Sequence, residues 1–373
     1  MIADLDQLLI VSADFARAPI ELRERLACGQ GSRHPAALLA PSPAIREALW
    51  LESCDRVEAI LLAASEEAAL DDLARLWWRQ AGVDMQEHWD QCAFYRGAGA
   101  LQHLVNILCG VDVAFAGSLH LRCGFHGAWR TSWESGGMKE GLHRICREAC
   151  RLAQSLVFDL AEGVSASLPA PYSPPPNAAA PQATAAAMRI IREHFGILEG
   201  RRALVIGAGR LGSALARAAA GAGMALTVAD AYAPAARDLA ARLRASWTTL
   251  KAWPEACGAT DLVMAATSAR KPLGTAPEFV RLGRESRARL FLDFSFPRAF
   301  QPEIQEWGVS LYNVDEIARR ADNAGLERSQ AQRRRQIAGA TGAVVLPAPE
   351  APDSLAPVDH ASGPRPAAAA GAA

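Results

Sequence analysis

An α/β fold is predicted by three features of the sequence. Residues 203–230 contain an apolar run, a Gly-x-Gly-x-x-Gly turn, an alanine-rich segment and a second apolar run. Further apolar runs follow at 261–265, 290–294 and 309–312. Helical spacers separate these runs, and such alternation favours a parallel sheet. The N-terminal part mixes strand-like runs with helical segments, so we predict an N-terminal α+β domain, a Rossmann-type parallel-sheet nucleotide domain and a long C-terminal helix.

The glycine-rich turn has the spacing of a dinucleotide-binding site. Gly207 permits a tight turn, Gly209 lets the backbone approach a pyrophosphate, and Gly212 lets the helix pack close to the strand. The helix N-terminus offers free N–H groups and a partial positive charge. Asp230, about 20 positions further on, suits the ribose hydroxyls. The predicted cofactor contacts are Gly207, Gly209, Arg210, Leu211, Gly212 and Asp230. The alternative is a Rossmann unit that has lost its nucleotide.

Composition points to an ordinary globular chain. Its 373 residues allow two or three domains, 50% of them are hydrophobic, and the formal net charge is −1, so an RNA partner would need a local basic patch. No apolar run reaches the roughly 18 residues of a membrane-spanning helix, and the N-terminus lacks the basic flank of a signal peptide. The thinly spread cysteines favour reduced thiols, so we expect a cytoplasmic protein without membrane contact.

The N-terminal domain is expected to span residues 1–164. Its strands are predicted at 8–12, 49–51 and 57–63, and its helices at 20–27, 66–78 and over most of 98–150. Between the second and third strands lies the polar cluster Glu52-Ser53-Cys54-Asp55-Arg56. A thiol beside a cation is a candidate site for chemistry, although a cysteine is also commonly a small buried hydrophobe.

The remaining boundaries follow from composition. Residues 165–184 are rich in Pro and Ala, which predicts a linker, and the Rossmann domain is expected at 185–313. One long, mildly basic helix is predicted over 314–345. It contains Arg333-Arg334-Arg335, for which a solvated face is favoured over contact with phosphate. Residues 346–373 have few large aliphatic side chains, so they are expected to be disordered.

Six segments resemble the glutamyl-tRNA reductase family and occur in the same order. They are APIELRERLA from Ala18, ESCDRVE from Glu52, QHLVNILCGVD from Gln102, LEGRRALVIGAGRLG from Leu198, LFLDFSFPRAFQPEI from Leu290 and LYNVDEIARRADNAGLERSQAQRRR from Leu311. The resemblance implies NADPH-dependent reduction of glutamyl-tRNA(Glu) to glutamate-1-semialdehyde, the start of five-carbon tetrapyrrole (porphyrin) synthesis. It also implies glutamyl-tRNA(Glu) as a partner and the downstream semialdehyde aminomutase as a candidate partner.

The resemblance also implies roles for individual residues. Cys54 would attack the aminoacyl ester and form a thioester, which suits a thiolate because it is a strong nucleophile. Arg56 would hold the glutamate carboxylate and lower the pKa of the thiol. His103 would donate a proton or polarise the carbonyl; its alternative is a satisfied core histidine. Ser53 and Ser118 would contact the substrate.

The chain departs from the family at several positions. Asp55 replaces an asparagine, which should raise the pKa of the neighbouring thiol. The segment 117–120 lacks the family's carboxylate and amide. Ala231 and Tyr232 stand where the family has the arginine and threonine that receive the 2′-phosphate, and Asp230 would repel that phosphate. The site is therefore expected to prefer NADH to NADPH or to bind neither tightly. The family's dimerisation domain has no counterpart after Val345, so we expect a monomer or a different partner in place of the usual dimer.

Three functions therefore stay open. The first is an active reductase, and the second is a catalytically weak or inactive paralogue that acts as a regulatory or interaction protein by binding tRNA, haem or a partner enzyme. The third is an oxidoreductase for another activated acyl group. The pattern His120-x-x-Cys123-x-x-His126, with Cys109, lies on one predicted helix face, but no Cys-x-x-Cys pair accompanies it, so no metal is expected.

Overall fold

The structure is a computed structural model. It describes residues 4–27, 33–115, 120–158, 181–273, 289–321 and 324–341. The described chain forms one four-stranded and one six-stranded sheet, which confirms the predicted α/β class. The predicted tail at 346–373, the predicted linker up to residue 180 and Ser118 lie outside the described residues. None of the helices in the described ranges is long and apolar enough to cross a membrane.

The N-terminal domain is built on an antiparallel sheet. Its strands are β1 (Leu8–Asp14), β2 (Ile45–Glu52), β3 (Arg56–Ala63) and β4 (Ala93–Arg96), in the order β2-β3-β1-β4. Its helices are α1 (Ile20–Leu26), α2 (Pro35–Leu39), α3 (Glu66–Ala81), α4 (Gly97–Leu108), α5 (His120–Glu134) and α6 (Glu140–Phe158), with 3₁₀ turns at Leu5–Gln7, Met85–Glu87 and Trp89–Gln91. The sequence reading did not predict β4, a four-residue edge strand.

Both faces of this sheet are covered. Successive side chains of a strand point to opposite faces, so Leu8 and Ile10 of β1 enter the core under α4 and α6. Leu9 and Val11 enter the second core, under α1 and α3. This double burial explains why β1 is a continuous apolar run and not an alternating pattern. It also makes any polar side chain on these strands expensive unless it is paired.

The nucleotide domain is a parallel sheet with helices on its faces. Its strands are β5 (Arg202–Ile206), β6 (Ala225–Asp230), β7 (Ser246–Thr249), β8 (Leu262–Ala265), β9 (Arg289–Asp293) and β10 (Val309–Asn313), in the order β10-β9-β8-β5-β6-β7. Its helices are α7 (Pro181–Phe195), α8 (Arg210–Gly221), α9 (Ala233–Leu243) and α10 (Trp253–Gly258), with 3₁₀ turns at Leu250–Ala252 and Pro302–Trp307. The strand order reverses at β5, where α/β sheets bind ligands. Because α7 begins at Pro181, the last four residues of the predicted linker are helical.

The prediction of one helix over 314–345 is wrong. The chain forms two helices, α11 (Val314–Arg319) and α12 (Ala324–Ala340). The side chain of Asn313 caps α11 by accepting from the N–H groups of Asp315 and Glu316. Ile317 of α11 is buried in the core of the nucleotide domain, whereas Ile337 of α12 is buried in the core of the N-terminal domain. The two helices are therefore buried in different domains.

Candidate active site

Cys54 lies in the short turn between β2 and β3. The Ser53 N–H donates to the Arg56 carbonyl at 2.9 Å, and the Ser53 hydroxyl donates to Asp55 Oδ1 at 2.6 Å, so the turn is closed by its own polar groups. Cys54 is half-buried and packs against an apolar cluster to which both domains contribute, for example Phe115 of the N-terminal domain and Phe294 of the nucleotide domain. The thiol therefore sits at the boundary between the two domains.

The surroundings of Cys54 favour the protonated thiol. Burial raises the pKa of Cys54 well above its ordinary value, the carboxylate of Asp55 raises it further, and the guanidinium of Arg23 lowers it. The prediction that Asp55 raises this pKa is confirmed. Asp55 is itself fully buried, and its Oδ2 accepts from the Ala114 N–H at 3.1 Å. Arg23 thus has the effect on the thiol that was predicted for Arg56.

A buried network connects Arg56 to His103. β3 places Arg56 and Glu58 two residues apart, and therefore on one face of the sheet. Glu58 Oε1 accepts from Arg56 Nη1 at 3.0 Å, from the Ser12 hydroxyl at 2.8 Å, and lies 2.9 Å from His103 Nε2. The His103 ring also stacks on Tyr95, with centroids 3.9 Å apart. The structure thus brings two of the predicted residues together through a carboxylate that connects them.

Glu58 and Ser12 were missed from the sequence. Burial opposes ionisation of Glu58, but His103 and Arg56 outweigh it and hold the pKa of Glu58 at about 2. Glu58 is therefore a buried carboxylate anion. A charged residue within the otherwise apolar strand predicted at 57–63 was the available signal, because a buried charge requires a partner. Ser12 lies opposite Glu58 in the register of β1 and β3. The sequence alone does not give this register, so the pairing could not be predicted.

The second terminal nitrogen of Arg56 also forms a hydrogen bond. Arg56 Nη2 donates to the carbonyl of Asp112, a residue with φ of +57°. The Asp112 carboxylate accepts from Asn106 Nδ2 at 3.0 Å and from Arg334 Nε at 2.9 Å. Arg334, which was predicted to lie on a solvated face, is half exposed and also forms this ion pair. α12 therefore contacts the N-terminal domain next to Arg56 through the pair of Arg334 with Asp112.

The glycine turn of the nucleotide domain fits a pyrophosphate. Gly207 has φ of +107°, and a Cβ there would overlap the Ala266 carbonyl; a Cβ at Gly212 would overlap the Gly207 carbonyl. Gly209 is different, because a Cβ there would enter open space. This cradle precedes the first residue of α8, Arg210, whose N-terminal N–H groups attract anions. Leu211 instead packs on the domain core.

Asp230 ends β6 beside this cradle. Its Oδ2 accepts from the Ala208 N–H at 2.6 Å, and its Oδ1 accepts from the Tyr232 N–H at 2.7 Å. The carboxylate is therefore held at the glycine turn, in the position where a Rossmann domain receives the ribose. In the described ranges, no group of three or more His, Cys, Asp or Glu residues is arranged to hold a metal ion.

A thiol at a domain boundary and a dinucleotide cradle on a parallel sheet define the architecture of an oxidoreductase. Residues 11–157 match the family model of the glutamyl-tRNAGlu reductase N-terminal domain, and residues 189–319 match the model of shikimate/quinate 5-dehydrogenase. The glutamyl-tRNA reductase of Myxococcus xanthus is 30% identical over 337 residues, which cover 88% of this chain and 71% of that protein. The one of Syntrophobacter fumaroxidans is 27% identical, with coverages of 90% and 71%. The chain belongs to the glutamyl-tRNA reductase family and is a glutamyl-tRNA reductase-like oxidoreductase.

Among solved structures, the glutamyl-tRNA reductase from Methanopyrus kandleri is similar to this chain. The two share 20% sequence identity over 90% of this chain and 77% of that one, with a TM-score of 0.39.

Proposed function

We propose that this protein reduces glutamyl-tRNA(Glu) to glutamate-1-semialdehyde with a reduced nicotinamide nucleotide, the first step of five-carbon tetrapyrrole synthesis. The observation that carries the proposal is the position of Cys54, a half-buried thiol packed against an apolar cluster that the N-terminal domain shares with the domain that holds the dinucleotide cradle. The nucleophile and the hydride donor must both reach the same carbonyl carbon. At a domain boundary, the N-terminal domain can supply the nucleophile and the nucleotide domain can hold the hydride donor.

The thiolate of Cys54 would attack the ester carbonyl that joins glutamate to the tRNA. The new C–S bond forms as the C–O bond to the tRNA breaks, the tRNA hydroxyl leaves with a proton, and a thioester remains on the enzyme. When bound, the reduced nicotinamide supplies a hydride to that carbonyl. Collapse of the resulting thiohemiacetal breaks the C–S bond, releases the aldehyde and regenerates the thiol.

The chain's own residues would support these steps. Glu58 fixes His103 at 2.9 Å from its Oε1, so the imidazole would stand ready to give a proton to the carbonyl oxygen. Arg56 would bind the glutamate carboxylate, for which it must exchange one of its present contacts. The Asp112 carbonyl is the contact that a carboxylate most readily replaces, because an anion is the stronger acceptor. Ser53 and Ser118 are proposed as further substrate contacts.

We further propose that the cofactor is NADH and not NADPH. Gly207, Gly209 and Gly212 would hold the pyrophosphate, together with the N-terminus of α8 at Arg210 and Leu211. Asp230 would accept from the ribose hydroxyls, and its negative charge would repel a 2′-phosphate. We also propose a cytoplasmic location and the semialdehyde aminomutase as the enzyme that accepts the product.

A second function is favoured by the protonated thiol and the occupied Arg56. Both features suit a catalytically weak paralogue that binds tRNA or a partner enzyme and regulates tetrapyrrole synthesis. Such a protein would keep the fold and the nucleotide cradle without turning over substrate.

Single-turnover reduction separates the two functions. Charged glutamyl-tRNA(Glu) is mixed with excess protein and NADH or NADPH, and the aldehyde is quantified. The reductase proposal expects aldehyde from the natural protein and from Cys150→Ser, a matched thiol control in the N-terminal core, but none from Cys54→Ser. Aldehyde formation by folded Cys54→Ser would remove Cys54 from the mechanism. Absence of aldehyde with either cofactor would support the regulatory function.

A further inference from the structure

One face of α1 is charged and faces the nucleotide domain. Arg298, which follows β9, donates through Nη1 to Glu21 at 2.6 Å and through Nη2 to Glu24 at 2.7 Å. Its backbone N–H also donates to Glu24 Oε1 at 2.6 Å. Between these two glutamates lies Arg23, which has no exposed surface. α1 is therefore the part of the N-terminal domain that binds the nucleotide domain through charge.

Arg23 contacts both domains with its two terminal nitrogens. Nη1 donates to the carbonyl of Cys54 at 2.5 Å, and Nη2 forms an ion pair with Asp315. Asp315 stands in the first turn of α11, directly after the edge strand β10. One buried guanidinium thus joins the peptide of the proposed nucleophile to the nucleotide domain.

We propose that Arg23 is a positioning residue that fixes the Cys54 peptide and makes the ionisation of the thiol depend on contact between α1 and Asp315. This inference rests on the proposed role of Cys54 as nucleophile. While the ion pair is closed, Asp315 neutralises most of the charge of Arg23. When the contact opens, Arg23 stays with the N-terminal domain, and its full charge stabilises the thiolate.

The charges that face Cys54 come from three parts of the chain. After burial, which has the largest effect, Asp55 of its own turn and Asp315 of α11 raise the pKa of the thiol, and Arg23 of α1 lowers it. Opening the contact removes the effect of Asp315 and part of the burial, and it retains Arg23. The thiol then releases its proton to water and can attack an ester. After the C–S bond of the thiohemiacetal has broken, closing the contact returns the released sulfur to the protonated thiol.

The test is the pH dependence of Cys54 alkylation by iodoacetamide in the full chain, followed by mass spectrometry of the Cys54 peptide. Asp315→Asn removes the opposing charge and should lower the midpoint pH, so that alkylation at neutral pH rises about three- to tenfold. Arg23→Gln combined with Asp315→Asn gives a neutral pair of similar size, and its midpoint should lie above that of Asp315→Asn. Arg23→Lys keeps the charge and should retain a midpoint near the natural one.

The matched control is Arg298→Gln, which also weakens the contact of α1 with the nucleotide domain but does not touch Cys54. Because it loosens the contact but leaves both Arg23 and Asp315 in place, it should lower the midpoint by less than Asp315→Asn does. Equal midpoints in folded Asp315→Asn, in the double variant and in the natural protein would overturn the inference. Because alkylation needs neither tRNA nor cofactor, a shifted midpoint in a protein without reductase activity would sustain the inference and reject the proposed function.

Discussion

Replacing Glu58 by glutamine is expected to destabilise the protein strongly. The carboxylate is fully buried and holds Ser12, Arg56 and His103 together on one oxygen. Glutamine keeps the size and a neutral carbonyl but removes the charge that compensates the guanidinium. Arg56, with about one hundredth of its side chain exposed, then loses one of its two buried counter-ions and keeps only Asp55, whose Oδ1 lies 3.5 Å from its Nε. Breaking one partner of a buried ion pair costs about 3–5 kcal/mol.

The pKa of Glu58 gives an independent magnitude and a pH dependence. Folding lowers it from an ordinary 4.5 to about 2, and each unit corresponds to about 1.4 kcal/mol, so ionisation of Glu58 contributes about 3 kcal/mol at neutral pH. A depressed pKa stabilises the protein above the unfolded value and loses its effect as the pH falls toward the folded value. The difference between the natural protein and Glu58→Gln should therefore shrink by about 1.4 kcal/mol between about pH 6 and about pH 3.5.

Urea unfolding followed by circular dichroism at several pH values measures both effects. Glu66→Gln is the matched control, because Glu66 pairs with Arg96 on the surface and their side chains are 41% and 57% exposed. It should cost less than about 1 kcal/mol at any pH. A loss below about 1 kcal/mol for Glu58→Gln at neutral pH, or a difference independent of pH, would refute the conclusion that the buried network is stabilised by the Glu58 charge.

Three further changes test other parts of the molecule. Gly212→Ala should destabilise the nucleotide domain by about 3 kcal/mol or more, since its Cβ would overlap a backbone carbonyl. Gly209→Ala, its matched control, should have a free energy of unfolding in urea within about 1 kcal/mol of that of the natural protein. It should weaken nucleotide binding measured by calorimetry, and unchanged binding would contradict the proposal that the glycine turn holds the pyrophosphate. Asp230→Asn should raise the ratio of kcat/KM for NADPH to that for NADH about tenfold, and an unchanged ratio would reject the charge argument. Arg334→Ala, which breaks the half-exposed pair with Asp112, should lower thermal stability by less than about 1 kcal/mol, and a larger loss would show that α12 depends on this contact.

The sequence by itself determined the parts of the protein whose residues are neighbours in the chain. The strand, glycine turn, helix and second strand of the nucleotide domain were predictable because Gly207, Gly212 and Asp230 act within one local unit. The turn that carries Cys54 was predictable for the same reason, since two apolar strands flank it. The effect of Asp55 on the thiol followed from adjacency alone. The order of the family segments extended this local information to the whole chain.

Only the tertiary structure decided which distant groups meet. Glu58 bonds to Ser12 across 46 residues and to His103 across 45, and strand register and helix packing set both contacts. Arg23 pairs with Asp315 across 292 residues because the two domains dock through α1. Likewise, only the tertiary structure shows that α11 and α12, predicted as a single helix, are buried in different cores. Local patterns carry no information on such pairings, since an arginine on an amphipathic helix has the same sequence signature whether it faces water or another domain.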